Sequence, residues 1–278
     1  MKNFFVITNQ MKDPGQKTTE YIVEHLRANG ARADFFIRDE ITGPIPVPED
    51  AECILVLGGD GTLLQAARDT INLGIPLAGV NLGTLGFLAE IEKSGIDDAL
   101  DHLLKDEFEI EDRMLLKGSL WKAGERVFEG HALNDIVVSR RGPLMVLPVD
   151  LEVNGQMLAS YKADGIIVST PTGSTGYNLS AGGPIVSPKA RLMVVTPICP
   201  HTLNTRSVIL SPEDQVTIYM KDVGEKTGEN YAEVNFDGGL PGQVAMGEKL
   251  VIRQSGLSVK FIKISSESFL KLLHNRLK

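Results

Sequence analysis

Cysteine is nearly missing from this chain of 278 residues, which contains only Cys53 and Cys199. Two cysteines cannot build the disulfide framework of a small secreted protein or a zinc site that depends on cysteine ligands. Cys53 lies in an apolar run, and Cys199 directly precedes Pro200. We expect both thiols to fill space in the core or to line a pocket.

Positive charge and long apolar runs are also scarce. The chain has 28 Lys and Arg residues against 36 Asp and Glu residues, so its net charge is −8. This balance argues against nucleic acid or an anionic membrane as the main partner. The apolar N-terminal stretch is too short for a signal sequence or a membrane span, and no later run is long enough. We therefore expect a cytoplasmic protein.

Several familiar catalytic motifs are missing as well. The sequence contains neither the Gly-x-x-x-x-Gly-Lys-Ser/Thr motif of P-loop nucleotide sites nor the Gly-x-Gly-x-x-Gly motif of hydride-transferring Rossmann enzymes. Gly-x-Ser-x-Gly, His-Glu-x-x-His and the kinase catalytic-loop pattern are also missing. These absences argue against a P-loop nucleotide site, a hydride-transferring Rossmann site, a hydrolase with a Gly-x-Ser-x-Gly nucleophile, a protein-kinase catalytic loop and a zinc-protease site.

The most informative motif present is the pentapeptide Gly58-Gly59-Asp60-Gly61-Thr62. It follows the apolar run 53–57 and precedes helix-forming residues, an order that predicts a strand, a tight turn and a helix. Such a turn directs backbone N–H groups and the positive end of the helix dipole toward an anion. Asp60 would repel a phosphate unless a metal ion intervenes or the carboxylate must accept a proton. The alternative is that Asp60 only forms an Asx-type turn.

The chain divides into two parts by local pattern. In residues 1–107, predicted strands alternate with predicted helices, which favours an α/β domain with a parallel sheet and ligands at the carboxyl ends of the strands. A second glycine-punctuated loop, Asn81–Phe87, follows one of these strands. Residues 108–261 contain short apolar segments separated by turn pairs such as Asn154-Gly155, which predicts a β-rich domain. Residues 267–277 have apolar residues at helical spacing, and we expect the C-terminal segment 262–278 to pack on the first domain.

Two further stretches are unusually polar for their surroundings. Asn134-Asp135 interrupts a strand-like apolar frame, so the pair occupies either a bulge or the lining of a pocket. Residues 162–184 combine Lys162 and Asp164 with many hydroxyl side chains and glycines. This segment is either an irregular Ser/Thr-rich loop or a set of donors and acceptors for a sugar, a base or phosphates.

Taken together, these motifs make the chain resemble the bacterial NAD kinases over most of its length. The resemblance rests on an ordered set of short motifs rather than on one of them. The set comprises Gly58–Thr62, Asn81–Leu88, Asn134-Asp135, Asp164-Gly165, Thr170–Tyr177, Pro200–Leu203 and Asp237-Gly238.

This resemblance implies an N-terminal α/β domain with a Rossmann-like parallel sheet and a β-rich C-terminal domain, with NAD between them. It also implies NAD and ATP as substrates, phosphorylation of the adenosine 2′-hydroxyl of NAD, and homodimers or homotetramers. Asp60 would accept the hydroxyl proton, Asn134 would bind adenine, and Asp135, which replaces a common Glu, would bind a ribose diol. The remaining implied nucleotide-binding residues are Gly58, Gly59, Gly61, Thr62, Lys162, Asp164, Thr175, Gly176 (in place of a common Ala), Tyr177, Asn178, Leu179 and Ser180.

We expect Mg²⁺ to arrive with ATP, because the sequence shows no dedicated cage of carboxylates. Two alternative functions remain. One is a lipid kinase with the same pentapeptide, resembling diacylglycerol or sphingosine kinases, and the other is a dinucleotide sensor without catalysis. The hydroxyl-rich segment and Asp164 suit a sugar and a base better than an acyl chain, and Asp60 argues against a sensor.

Overall fold

The computed structural model describes residues 1–38, 45–83, 86–141, 146–202, 205–221, 231–245, 247–264 and 268–276, without the side chains of 240 and 241. The helices are α1 Lys17–Ala28, α2 Asp60–Thr70, α3 Ile96–Leu104, α4 Tyr177–Ser180 and α5 Phe269–Arg276. The strands are β1 Asn3–Asn9, β2 Arg32–Arg38, β3 Cys53–Gly58, β4 Leu77–Asn81, β5 Ile91–Glu92, β6 Glu109–Lys122, β7 Glu125–Ala132, β8 Asp135–Ser139, β9 Leu147–Val153, β10 Gln156–Ala163, β11 Gly165–Ser169, β12 Met193–Ile198, β13 Val208–Leu210, β14 Val216–Met220, β15 Tyr231–Phe236, β16 Gly239–Ala245 and β17 Lys249–Lys263.

The chain forms two compact units. The first comprises Met1–Arg113 and Ser258–Lys278, and the second comprises Met114–Leu257. The long strands β6 and β17 each contribute residues to both units. Among the described residues, no helix is long and apolar enough to cross a bilayer.

The first unit contains a parallel sheet in the order β2-β1-β3-β4, as the alternating pattern predicts. The end of β17 joins this sheet through a parallel pairing of Phe261 with Leu77. Buried side chains of β1, β3 and β4 pack against α1 and α3 in one apolar core. Because the strands run in the same direction, Gly58 at the end of β3 lies beside Asn81 at the end of β4.

Helix ends in this unit follow their local sequence signals. Gly30 follows α1 with φ of 81°, and Gly74 follows the turn after α2 with φ of 65°. Both values lie in the left-handed region that glycine adopts without steric cost. At the C-terminus, the ring of Phe269 on α5 lies 6.4 Å from that of Phe87, and the guanidinium of Arg276 lies 5.3 Å from the Phe87 ring centre.

The second unit consists almost entirely of antiparallel strands. One sheet has the order β13-β12-β11-β8-β15-β16, and the other contains β10-β9-β14-β17 with β6 paired to β17 and β7. Buried residues from both sheets form a single apolar core. The predicted hairpin turn Asn154-Gly155 joins β9 to β10, with φ values of 52° and 76°.

The two cysteines differ, and one of the two alternatives is excluded for Cys199. Cys53 is fully buried in β3, but Cys199 is exposed, so it does not fill the core. The reason is local, since Cys199 follows the last residue of β12 with φ of 43° as the chain leaves the sheet.

We predict that Gly118→Ala destabilises the second unit. A methyl group at Gly118 would lie 2.6 Å from the ring of Phe236 and 2.9 Å from Ile136, both of which are fully buried. Overpacking of this kind typically costs about 1–3 kcal/mol of unfolding free energy. Chemical denaturation measures this loss. Gly256→Ala is the matched control, because no atom of the described residues lies within 4 Å of a methyl group there. Equal stability of the Gly118 variant and wild type would contradict the packing argument.

Candidate active site

The pentapeptide forms the strand-turn-helix that its sequence predicts. β3 ends at Gly58, Gly59 occupies the N-cap position, and α2 begins at Asp60. Gly59 has no side chain to cap the first N–H groups of α2. The positive end of the helix dipole therefore lies at the carboxyl edge of the parallel sheet, where an anion is stabilised.

Asp60 is held by the loop that follows β4. Its Oδ2 accepts a hydrogen bond from the backbone N–H of Phe87 at 2.7 Å. Its Oδ1 accepts bonds from the N–H groups of Leu88 and Ala89, both at 3.2 Å. These three bonds fix the carboxylate in one orientation. Oδ2 accepts one of them and Oδ1 accepts two, so Oδ2 can accept a further hydrogen bond or a proton more readily.

Gly86 makes this arrangement possible. A methyl group at Gly86 would lie 1.7 Å from Oδ1 of Asp60, so any side chain there would displace the carboxylate. Sequence reasoning identified the loop Asn81–Phe87 as a second glycine loop but did not connect it with Asp60. The sequence shows a glycine at position 86. It does not show that Asp60, 26 positions earlier in the chain, is the residue that lies against it.

The glycines of the pentapeptide serve different purposes. A methyl group at Gly58 would lie 2.4 Å from Oγ1 of Thr62, so close packing requires this glycine. The buried Thr62 hydroxyl also receives a long bond of 3.4 Å from Asn9. By contrast, among the described residues no atom lies within 4 Å of a methyl group at Gly59 or Gly61, and neither has a left-handed φ. The folded chain itself gives no steric reason for glycine at these two positions.

In the second unit, Asp135 is the first residue of β8, and Asn134 directly precedes the strand. The register from Asp135 to Ser139 against β11 is continuous, which excludes the bulge alternative for this strand. The carboxylate of Asp237 accepts hydrogen bonds from the backbone N–H groups of Leu133, Asn134 and Asp135, at 2.8, 2.7 and 3.2 Å. Asp237 therefore fixes the backbone from which both predicted ligand-binding side chains project.

The side chains of Asn134 and Asp135 are unusual for buried polar groups. Oδ1 of Asn134 is buried and has no hydrogen-bond partner among the described residues. Asp135 is 5% exposed, and its burial, with a smaller contribution from the charge of Asp237, raises its pKa from 3.8 to about 7. Buried polar groups that lack internal partners lower stability, and they are typical of sites that bind a ligand.

The hydroxyl-rich segment is less open than the sequence suggests. Ser169, Thr170, Thr172 and Ser174 are all buried. The Thr170 hydroxyl donates to the Leu133 carbonyl at 2.5 Å, and the Ser174 hydroxyl donates to the Pro171 carbonyl at 2.7 Å. The Thr170 and Ser174 hydroxyls satisfy backbone groups of the fold, which favours the alternative of an irregular Ser/Thr-rich loop for this part of the segment.

Asn178 is also committed to the fold. Its amide nitrogen donates to the carbonyls of Ser174 and Pro184, and its oxygen accepts a bond of 2.7 Å from the Thr196 hydroxyl. Its side chain is fully buried. The other members of the predicted run are more accessible: Thr175, Gly176 and Leu179 are partly exposed, and Tyr177 and Ser180 are exposed.

Asp164 has a partner that sequence reasoning missed. Nε of Arg140 donates to Oδ1 of Asp164 at 2.9 Å, and both side chains are partly exposed. Lys162 on β10 is exposed. Thr84, Leu85 and Leu203, which belong to the motifs of the family resemblance, lie outside the described residues. Within the part of the chain that is described, no three His, Cys, Asp or Glu side chains form a group that could hold a metal ion.

Comparison with known proteins matches both parts of the chain. A family model for the ATP-NAD kinase N-terminal domain matches residues 6–108, and one for the ATP-NAD kinase C-terminal domain matches residues 133–264. The NAD kinase of Lachnospira eligens is 44% identical over 293 residues, covering 100% of both chains. The NAD kinase of Lachnoclostridium phytofermentans is 42% identical over 99% of both chains.

Two solved structures share the fold. Yeast NADH kinase complexed with NADH has a TM-score of 0.87 at 23% identity, covering 99% of this chain and 87% of that one. An NAD kinase from Archaeoglobus fulgidus in complex with ATP has a TM-score of 0.78 at 24% identity, covering 99% and 98%. The NAD kinase-like fold predicted from the sequence, a parallel α/β part followed by a β-rich part, is confirmed. With two family models that match most of its length and relatives above 40% identity over their full lengths, this chain belongs to the NAD kinase family.

Proposed function

We propose that this protein transfers a phosphoryl group from ATP to the adenosine 2′-hydroxyl of NAD and so produces NADP. The observation that carries the proposal is the match of both halves to the ATP-NAD kinase family, in a chain whose Asp60 carboxylate is fixed at the N-terminus of α2. One of the two structures with the same fold is a complex with NADH and the other a complex with ATP, which supports a nicotinamide dinucleotide and ATP as the two substrates.

In this proposal, Asp60 accepts the proton of the 2′-hydroxyl. An aspartate carboxylate is a far weaker base than an alkoxide, so the proton moves only late, as the new P–O bond makes the hydroxyl acidic. Phosphoryl transfer depends mainly on positioning and on stabilisation of charge. The three bonds from residues 87–89 support the positioning, and Oδ2 is the oxygen with room for the proton.

The pentapeptide glycines would receive the phosphates. Among the described residues, no atom lies within 4 Å of a methyl group at Gly59 or Gly61. A ligand that approaches the main chain closely would explain why both positions are glycine. We assign Gly58 and Thr62 a supporting role, because the Thr62 side chain packs against Gly58 inside the unit.

Asn134 and Asp135 would bind the adenosine of NAD. The unpartnered Oδ1 of Asn134 suits the exocyclic amine of adenine, and the carboxylate of Asp135 suits two ribose hydroxyls. Lys162, Asp164, Thr175, Gly176, Tyr177, Leu179 and Ser180 would complete the dinucleotide site. Asn178 would contribute through its backbone, since its amide is used within the fold.

We assign the divalent metal to the ATP phosphates rather than to a cage of side chains, because Mg²⁺ is usually bound through substrate phosphates and one or two carboxylates. Bound there, Mg²⁺ would supply charge neutralisation for the transferred group. We further propose that residues 1–107 form the α/β domain, that residues 108–261 form the NAD-binding domain, and that residues 262–278 pack on the α/β domain. We also propose a homodimer or homotetramer and a cytoplasmic location.

The alternative functions are less well supported. Both family models are those of ATP-NAD kinases and not of lipid kinases. A sensor without catalysis would not need a carboxylate fixed by three hydrogen bonds at the helix terminus.

Incubation of the purified protein with ATP, Mg²⁺ and NAD should yield NADP, detected by an NADP-specific dehydrogenase assay. Diacylglycerol and sphingosine, supplied in mixed micelles, should not be phosphorylated. Phosphorylation of a lipid without NADP formation would favour the lipid kinase, and NAD binding without ATP consumption would favour the sensor.

Asp60→Asn should lower kcat by about 10²- to 10⁴-fold with little change in NAD affinity, because the proton acceptor is lost. The amide NH₂ would also face at least one of the three backbone donors, so this variant disturbs the loop as well. Gly86→Ala separates the two effects, because it keeps the carboxylate but displaces it. We expect it to lower kcat at least about tenfold. An unchanged kcat in Asp60→Asn would refute the assignment as proton acceptor.

Asp135→Asn should weaken NAD binding and stabilise the free protein. The folded carboxyl has a pKa of about 7 against an ordinary 3.8, so its contribution to stability is full below pH 3.8 and is lost as the pH rises through about 7. We expect Asp135→Asn to raise the unfolding free energy at pH 8 by about 1–2 kcal/mol and by much less at pH 5.

The same substitution should remove a pH dependence of binding. The NAD affinity of the wild type should rise between pH 6 and 8, because the ionised carboxylate accepts hydrogen bonds from both hydroxyl groups of the ribose diol. Calorimetric titration of NAD into both proteins measures this, and we expect a Kd about tenfold weaker and nearly independent of pH in the variant. Equal NAD affinity in both proteins at pH 8 would exclude Asp135 from the ribose site.

A further inference from the structure

The pentapeptide contains no cationic side chain that could neutralise the negative charge of a bound triphosphate. Residues 58–62 contain a carboxylate and no Lys or Arg, and the whole chain has a net charge of −8. Backbone N–H groups and a helix dipole provide only partial charges. A polyanion bound at this edge of the sheet would therefore be expected to draw a cationic side chain from elsewhere in the fold.

Lys12 lies at this same edge. It follows β1, and its backbone N–H donates to the carbonyl of Asn9 at 3.0 Å in the turn that ends the strand. Its Nζ lies 3.9 Å from the position of a methyl group on Gly83. Gly83 in turn donates to Oδ1 of Asn81, the residue that pairs with Gly58.

The charge of Lys12 is not neutralised within the described residues. The side chain is exposed and forms no ion pair there, whereas Arg38 pairs with Asp69 and Lys263 with Glu90. The carboxylate of the neighbouring Asp13 is buried and accepts bonds from Thr18 and Thr19. Lys12 is thus an exposed cation without an ion-pair partner in the described part of the chain, and the carboxylate of the neighbouring Asp13 already accepts other hydrogen bonds.

We infer that Lys12 binds the phosphate chain of ATP and compensates its negative charge beside the pentapeptide. This inference rests on the proposed function, because it places the triphosphate at the carboxyl edge of the parallel sheet. A lysine suits the task, because its flexible stem and three N–H donors can follow phosphate oxygens as they move during transfer.

The test compares Lys12→Ala and Lys12→Arg with the matched control Lys17→Ala, a substitution of the exposed first residue of α1. Lys12→Ala should raise the KM for ATP about tenfold and leave the KM for NAD within about twofold, since one charge-assisted bond to phosphate is lost. Lys12→Arg should retain an ATP KM within about threefold of wild type. The difference between Lys12→Ala and wild type should shrink as KCl is raised.

A second readout does not depend on catalysis. Calorimetric titration with inorganic tripolyphosphate should give weaker binding to Lys12→Ala than to wild type and to Lys17→Ala. An unchanged ATP KM and unchanged tripolyphosphate affinity in Lys12→Ala would overturn the inference, and so would an equal loss in Lys17→Ala. Failure of the wild type to form NADP would instead refute the proposed function, and the tripolyphosphate titration would still decide the role of Lys12.

Discussion

The hydrogen bonds between Asp60 and the backbone of residues 87–89 are the constraint on which the first unit's site depends. They connect the start of α2 to the loop after β4, and they fix a carboxylate that would otherwise rotate freely at a helix terminus. The same contact explains why residue 86 must lack a side chain. The carboxylate is thereby positioned by backbone donors that are fixed before any ligand binds.

In the second unit, three backbone N–H groups also donate to one aspartate, but here the aspartate shapes the backbone. Asp237 accepts hydrogen bonds from three successive backbone N–H groups of residues 133–135 and so shapes the backbone, while the buried Oδ1 of Asn134 has no hydrogen-bond partner among the described residues. Asp237 is therefore hydrogen-bonded within the fold, whereas the carboxyl group of Asp135 is buried. Burial disfavours the ionised carboxylate and so raises the pKa of Asp135. A diol that donates two hydrogen bonds would offset the free-energy cost of ionising it there.

These arrangements change how the polar motifs of the chain are interpreted. The density of hydroxyl groups in residues 169–180 suggests a ligand-binding loop, yet Thr170, Ser174 and Asn178 satisfy backbone groups of an irregular buried segment. Such a segment has few ladder hydrogen bonds, so side chains must supply its donors and acceptors. Hydroxyl-rich composition therefore reports the need of the backbone as much as the chemistry of a ligand.

The sequence by itself determined the elements and their order. Alternating apolar runs, glycine after helices, the Asn154-Gly155 turn and the pentapeptide are local signals, and local backbone preferences decide them. Only the tertiary structure decided which groups meet. Asp60 contacts residues 27–29 positions away, and Asp237 contacts residues 102–104 positions away. Lys12 lies beside Gly83 only because β1, β3 and β4 end at the same edge. No local preference encodes such contacts, because they arise from strand order and burial.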